Sequence, residues 1–411
     1  MPTRQSGRAL AALACVAALV FVWRAGVLPA RNVFADPNSH YDFRAVYMGA
    51  ADLLAGADPC GDAPDQPSKR IAAELGIDVI HTVYYPMVLG TLYAPFGALP
   101  FDQARVAWIA FKLVLLAATV LLLARASAPP GEGARWLAVT VLLFAGFETT
   151  VREFAIGQAN VVILFLLAVA STSLARGHAW LGGAALGATL LLKPIPGMIL
   201  VGFALRREWR TVAAAVGLIV VVVAASVAVY GLDAHLSCVS ATTAVLRGLS
   251  RWWANQSLLG FLIHVGVPNQ YSTAWFAAPW LVRVLWLASA LAVTGAAALV
   301  TLRHPRADAA VALSLWLAVG LLVSPRSWDH YWVWLLISVV LVARAVRDGR
   351  VSPWLAAITY VLLAYPGQYW HLHPALHHGP QLVLTSSQTW GALMLAWILA
   401  RLHQDEAASA R

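Results

Sequence analysis

Apolar runs of about 18 residues or more recur from one end of this 411-residue chain to the other, and one such run is enough to cross the roughly 30 Å hydrocarbon layer of a bilayer. Inside that layer every backbone amide must find its partner within the chain, which leaves helices as the elements such runs can form. Sixty per cent of the residues are hydrophobic and only 11% are charged, against roughly a quarter in soluble chains. The sequence therefore predicts an all-α polytopic membrane protein, with residues 1–411 forming a single integral membrane domain.

The net charge of +9 does not point to nucleic acid, because the basic residues lie singly or in small groups between apolar runs. "RREWR" at 206–210, "RHPR" at 303–306 and "RAVRDGR" at 344–350 read as cytoplasmic loops under the positive-inside rule. Arg4 and Arg8 then put the N-terminus inside. Twelve spans follow, near 8–30, 101–125, 135–149, 159–176, 179–192, 194–206, 209–231, 279–302, 308–323, 330–346, 352–366 and 381–401. The two segments flanking "KPIPG" are short enough to be broken helices. The first run is longer than a usual signal-peptide core and reads as an uncleaved helix.

On this topology the outer side receives two loops, 31–84 and 232–278, and almost every polar group that is not a cytoplasmic anchor. Asp42 and Arg44 stand in "YDFRAVY", Glu148, Arg152, Glu153, Gln158 and Asn160 in "FETTVREFAIGQAN", and Asn255 and Gln256 in "SRWWANQS". Arg326, Trp328, Asp329 and His330 stand in "SPRSWDHYW", and Lys193 precedes Pro194. Ionisable groups are costly near hydrocarbon, so their gathering at one depth marks a functional site. Carboxylates serve as bases, Arg, Lys and His suit a phosphate, and the 18 tryptophans suit sugar or lipid as well as an interfacial belt. With no Walker-type loop and no Asp-x-Asp pair, the chemistry indicated is transfer of a group carried on a lipid phosphate, without a nucleotide-sugar donor.

Each residue also has a plainer reading. Asp42 can cap a short helix, His330 can donate within a packed bundle, Lys193 can satisfy carbonyls freed by Pro194, and Arg326 can be an interfacial anchor. Glu148, Arg152 and Glu153 are expected to compensate one another, and Arg44 to pair with Asp52 or a neighbouring carboxylate. Gln158, Asn160 and Asn255 either bind sugar hydroxyls or bond between helices. The "HLHPALHH" run repeats no known metal-ligand spacing and is read as an interfacial loop, so no metal and no cofactor is expected. Cys60 and Cys238 both fall in outer loops, where a disulfide can form. A transporter or lipid flippase would also have many spans, but its ionisable groups would lie at the midplane and its halves would repeat.

The ordered set "YDFRAVYMGAADLLAGADP", "YYPMVLGTLYAPFGALP", "GQANVVILFLL", "LLKPIPGMILVGFALRREWR", "NQSLLGFL" and "SPRSWDHYW" resembles glycosyltransferase family 87 over about residues 40–335. Three departures stand beside it: Met87 where a second proline is usual, Cys60 where tyrosine is frequent, and Tyr331 in place of a second histidine. The resemblance implies a GT-C-like bundle of about twelve membrane helices with short helices in the outer loops. It implies an inverting transferase that moves mannose from polyprenyl-phosphate mannose to a glycolipid acceptor, such as a phosphatidylinositol mannoside or lipomannan, at the outer face of a bacterial plasma membrane. Asp42 matches the family's first-loop aspartate, the expected base; Arg326, His330 and Lys193 are the expected phosphate ligands. Gln158, Asn160, Asn255, Tyr85, Trp328 and Asp329 are the expected sugar- or acceptor-binding residues. A same-fold transferase for another sugar, such as arabinofuranose, is the alternative.

Overall fold

All twelve of the expected segments are helical in a computed structural model of the chain, which describes residues 4–35, 40–61, 63, 65–76, 87–365 and 373–409. Five helices are long and apolar enough to cross a membrane outright: Gly7–Asn32, Phe101–Ser127, Trp209–Tyr230, Pro279–Arg303 and Asp329–Arg347. Two bent pairs, Gly133–Ala145 with Glu148–Ile156 and Gly379–Thr385 with Ser387–Asp405, bring the number to seven if each is one span. The other five are apolar but only 10–17 residues long, about 15–26 Å at 1.5 Å per residue, so by length alone they fall short of the bilayer core. Among the described residues there are no strands, only two isolated bridges.

The local chemistry explains the breaks. Ala179–Leu192 stops at Lys193, which is extended at φ −149° and ψ 128° because the ring of Pro194 disfavours the helical region for the residue before it. A 3-10 turn, Ile195–Gly197, and the short helix Met198–Leu205 follow. Ala309–Val323 has no polar face and is buried almost throughout, as a helix apolar all round must be. Trp316, Trp332 and Trp334 fill the centre beside it, while Val220, Val229, Leu291 and Trp354 face outward, where lipid would lie.

Short helices do form in the loops 31–84 and 232–278, among them Tyr41–Leu54, Pro67–Leu75, Leu232–Arg247 and Leu258–Gly266. Met87–Gly97, outside every expected span, is a further helix; it packs on Tyr41–Leu54. Cys60 and Cys238 form a disulfide with Cα atoms 5.1 Å apart, tying these two loops together across 178 residues. The expected Arg44 to Asp52 pair does not form. Asp52 Oδ1 instead accepts the Ser68 amide at 2.8 Å, binding Pro67–Leu75 to its neighbour.

Candidate active site

The site begins where Tyr41–Leu54 meets the turn 157–159. His40, at the helix start, is in the left-handed region (φ 56°) and buried, and Gly157 has φ +81°. A Cβ on Gly157 would stand 2.6 Å from Phe43 Cβ, and the Gly157 carbonyl accepts the Trp108 indole N–H at 2.8 Å. Both the dihedral and the space therefore require glycine. Gly157→Ala is expected to lower the thermal midpoint of the purified protein, with a cost of about 1–3 kcal/mol from the dihedral alone. An unchanged midpoint in scanning fluorimetry would show that the two segments separate freely.

That approach sets Asp42 against a buried polar chain. Gln158 Nε2 donates to Asp42 Oδ2 at 2.7 Å. Lys193 Nζ donates to Gln158 Oε1 at 3.0 Å and to Asn160 Oδ1 at 3.1 Å, and lies 3.9 Å from the centre of the Tyr331 ring. Asn160 gives its backbone N–H and its Nδ2 to the two oxygens of Glu153, at 3.0 and 2.7 Å. Glu153 Oε1 lies 3.7 Å from Lys112 Nζ, and that ammonium also donates to the Glu153 carbonyl at 3.1 Å. Lys112 is eleven residues into Phe101–Ser127, about 16 Å below that helix's outer end.

A second set lies near enough for the charges of His330 and Arg152 to act on Asp42. Asp329 Oδ2 accepts Arg152 Nε at 2.7 Å; its Oδ1 accepts the His330 amide at 2.9 Å and lies 3.2 Å from His330 Nδ1. A carboxylate only accepts, so Nδ1 carries the hydrogen and Nε2 points away from Asp329. His330 Nε2 is buried with no hydrogen-bond partner among the described residues. Three carboxyl groups (Asp42, Glu153, Asp329) and three basic side chains (Lys112, Arg152, Lys193) share this cluster with the His330 imidazole. Burial pushes the Asp42 carboxyl above the usual carboxylate range; His330, the Gln158 hydrogen bond, Lys193 and Arg152 pull it back only in part.

The remaining candidates divide. Arg326, partly exposed, is near enough for its charge to act on the Tyr331 hydroxyl, and it donates to the Gly248 carbonyl at 3.1 Å. Asn255 is fully buried and holds two loops together, donating to the Pro325 carbonyl and accepting from the Ser327 amide and the Ser257 hydroxyl, each at 3.0 Å. Trp328 pairs with Asn255 in an isolated bridge, at the edge of the same junction. Tyr85 lies outside the described residues.

Glu148, Arg152 and Glu153 do not compensate one another. Arg152 and Glu153 are successive and point to different sides, while Glu148 and Arg152 share a face but are each drawn to another element: Glu148 is bidentate to Arg24 at 2.6 and 2.8 Å, Arg152 meets Asp329, and Glu153 meets Lys112 and Asn160. Lys112 is not among the residues expected at the site, and Glu153 is expected there only as a member of a local ion-pair group. The available signal was a lysine within an apolar run, where an ionisable group marks function by default.

The cluster can deprotonate a hydroxyl at Asp42 while buried cations and an imidazole stabilise an anion beside it. Similarity to known proteins points to a chemistry of that kind. The chain is 32% identical over 311 residues to a polyprenol-phosphate-mannose-dependent alpha-(1-2)-phosphatidylinositol mannoside mannosyltransferase of Mycolicibacterium smegmatis, covering 70% of this chain and 67% of that one. To the protein of the same name in Mycobacterium tuberculosis it is 30% identical, over 76% and 72% of the two chains. It is also 31% identical, over 60% and 55%, to an alpha-(1->3)-arabinofuranosyltransferase of M. tuberculosis. The sequence profile of glycosyltransferase family 87 matches residues 83–325, more than half of the chain; Lys112, Arg152, Glu153, Gln158, Asn160 and Lys193 fall within the match, and Asp42, Arg326, Asp329 and His330 outside it. The chain belongs to glycosyltransferase family 87.

Proposed function

We propose that the protein transfers mannose, with inversion, from polyprenyl-phosphate mannose to a mannosylated phosphatidylinositol-type glycolipid at the outer face of the plasma membrane. The observation that carries this reading is the joining of Asp42 and His330 in one cluster with buried cations. Inversion in a single displacement needs one base on the acceptor hydroxyl, opposite the leaving phosphate. The acceptor oxygen forms its bond to the anomeric carbon as the carbon–phosphate oxygen bond breaks. Asp42 takes the hydroxyl proton, and the polyprenyl phosphate leaves as an anion held by Arg326 and by His330, whose Nε2 donates when the ring is an imidazolium. No acid is required, because that leaving group is already stable as an anion.

Lys193 contributes charge from behind Gln158 and Asn160, since its ammonium is directed at their two carbonyl oxygens, and does not grip the phosphate directly. Asp329 orients His330 and anchors Arg152, so its part is positional. The disulfide supports an oxidising, outward location for the two loops it joins.

Membranes carrying the protein, given labelled polyprenyl-phosphate mannose and a panel of mannolipids, are expected to yield an α-mannoside. Because Asp42 must be unprotonated to act and its pKa is raised, transfer is expected to fall as pH drops through a value above the ordinary carboxylate range near 4. Absence of transfer with every acceptor would remove the mannosyl reading. The arabinofuranosyltransferase relative supports a second one, and labelled polyprenyl-phosphate arabinofuranose in the same assay decides between them.

A further inference from the structure

With Glu153 as a carboxylate and Lys193 as an ammonium, the polar chain behind Asp42 has one consistent set of donors and acceptors. The Glu153 carboxylate accepts only, so the Asn160 amide must present Nδ2 to it and Oδ1 away from it. Oδ1 then meets the Lys193 ammonium, which donates only. Lys193 takes Gln158 by Oε1 for the same reason, which leaves Gln158 Nε2 to face Asp42. Glu153, Asn160, Gln158 and Lys193 are all buried, so water does not relax the pattern. Lys112 Nζ stands 3.7 Å from Glu153 Oε1, so the buried carboxylate has a basic partner in an apolar setting.

We infer that Glu153, with Lys112 behind it, is a positioning residue for the transfer reaction: it sets the amide orientations of Asn160 and, through Lys193, of Gln158, so that the base Asp42 always receives a hydrogen bond on Oδ2 and presents Oδ1 to the acceptor hydroxyl. The inference rests on Asp42 being the base, as proposed above. Reversal of the Asn160 amide would face Oδ1 with the Glu153 carboxylate and Nδ2 with Lys193, removing the anchor that holds the ammonium against Gln158 Oε1; reversal of Gln158, once released, would turn its Oε1 toward the Asp42 carboxylate. A base so opposed would hold its proton more tightly. The other charged or titratable groups near Asp42 are Tyr41 on its own helix, Tyr93 on Met87–Gly97, Arg152, and Asp329, His330 and Tyr331, and none of them is altered by the variants below.

The experiment uses the full chain in membranes or detergent, with polyprenyl-phosphate mannose as donor and a mannolipid acceptor at saturation. Glu153→Gln puts an amide nitrogen against Asn160 Nδ2, and Asn160→Asp puts an oxygen against the Glu153 carboxylate. Each is expected to lower kcat roughly 10- to 100-fold, the range for removal of an outer partner that orients a reacting group. The KM of donor and acceptor should stay within about twofold, and the acid limb of the kcat profile should move upward. The double variant Glu153→Gln with Asn160→Asp exchanges donor for acceptor across the same contact, conserves charge and keeps an oxygen toward Lys193. It is expected to regain most of kcat and the wild-type acid limb.

Single variants with wild-type kcat and acid limb would overturn the inference, as would a folded double variant no faster than the slower single one. Asn160→Ser, which removes the link without opposing like groups, covers the case in which the single variants do not fold. It should show the same loss and the same limb shift, and wild-type behaviour there would also overturn the inference. A role confined to stability would lower the thermal midpoint and leave the acid limb of the folded fraction in place. Failure of the base assignment itself shows differently, as full transfer by Asp42→Asn.

Discussion

Membranes carrying Asp42→Asn are expected to lose sugar transfer by about 10²- to 10⁴-fold, the contribution of a positioned general base. Donor binding should survive, because the groups assigned to the phosphate are Arg326 and His330 and neither touches Asp42 through a bond that the substitution removes. The same variant is expected to be at least as stable as the parent. Burial raises the Asp42 pKa in the folded state, so the folded protein holds this proton more tightly than the unfolded chain does. A group of that sign contributes stability below its unfolded pKa and loses it as pH rises through the folded value. At neutral pH the ionised carboxylate therefore weighs against the fold, and a neutral amide that still accepts from Gln158 Nε2 relieves it. Loss of transfer with an unchanged or higher thermal midpoint is the expected pair of results. Transfer at full rate would remove Asp42 as the base, and a sharp fall in midpoint would show that its role is structural.

That opposition of function and stability explains why the site was partly legible in the sequence. Asp42, Lys193, Gln158 and His330 stand out because each breaks a local rule: a charge just beyond an apolar run, a lysine before a proline, an amide at a helix start, a histidine among tryptophans. Such violations persist where something other than folding selects them. Helices were legible for the same reason that membrane chains are simple, since backbone satisfaction in lipid leaves few choices. Partners were not legible. Arg152 and Asp329 are 177 positions apart and Lys112 and Glu153 are 41 apart, and neither distance leaves a trace in local pattern. The expected grouping of Glu148, Arg152 and Glu153 failed because nearness in sequence was taken for nearness in space. Asn255 shows the converse: an amide next to a suspected site can be wholly engaged in joining loops.

The Arg152 to Asp329 pair should be the most costly contact in the site to break. Asp329 is fully buried and the Arg152 side chain is 18% exposed, so solvent screens the pair little. Asp329→Ala strands a buried guanidinium beside the Trp253 ring, 5.4 Å from its centre, and frees the His330 ring from its one carboxylate. Removing one member of a buried pair costs about 3–5 kcal/mol, whereas replacing both by apolar groups is often close to neutral. The double variant Asp329→Ala with Arg152→Met is therefore expected to regain much of the thermal midpoint that Asp329→Ala loses. It is not expected to regain transfer, because His330 would still lack the oxygen that fixes its ring and turns Nε2 toward the phosphate. A double variant that recovered midpoint and transfer together would assign the pair to packing alone, and the anion would then have to be held by Arg326 without an oriented His330.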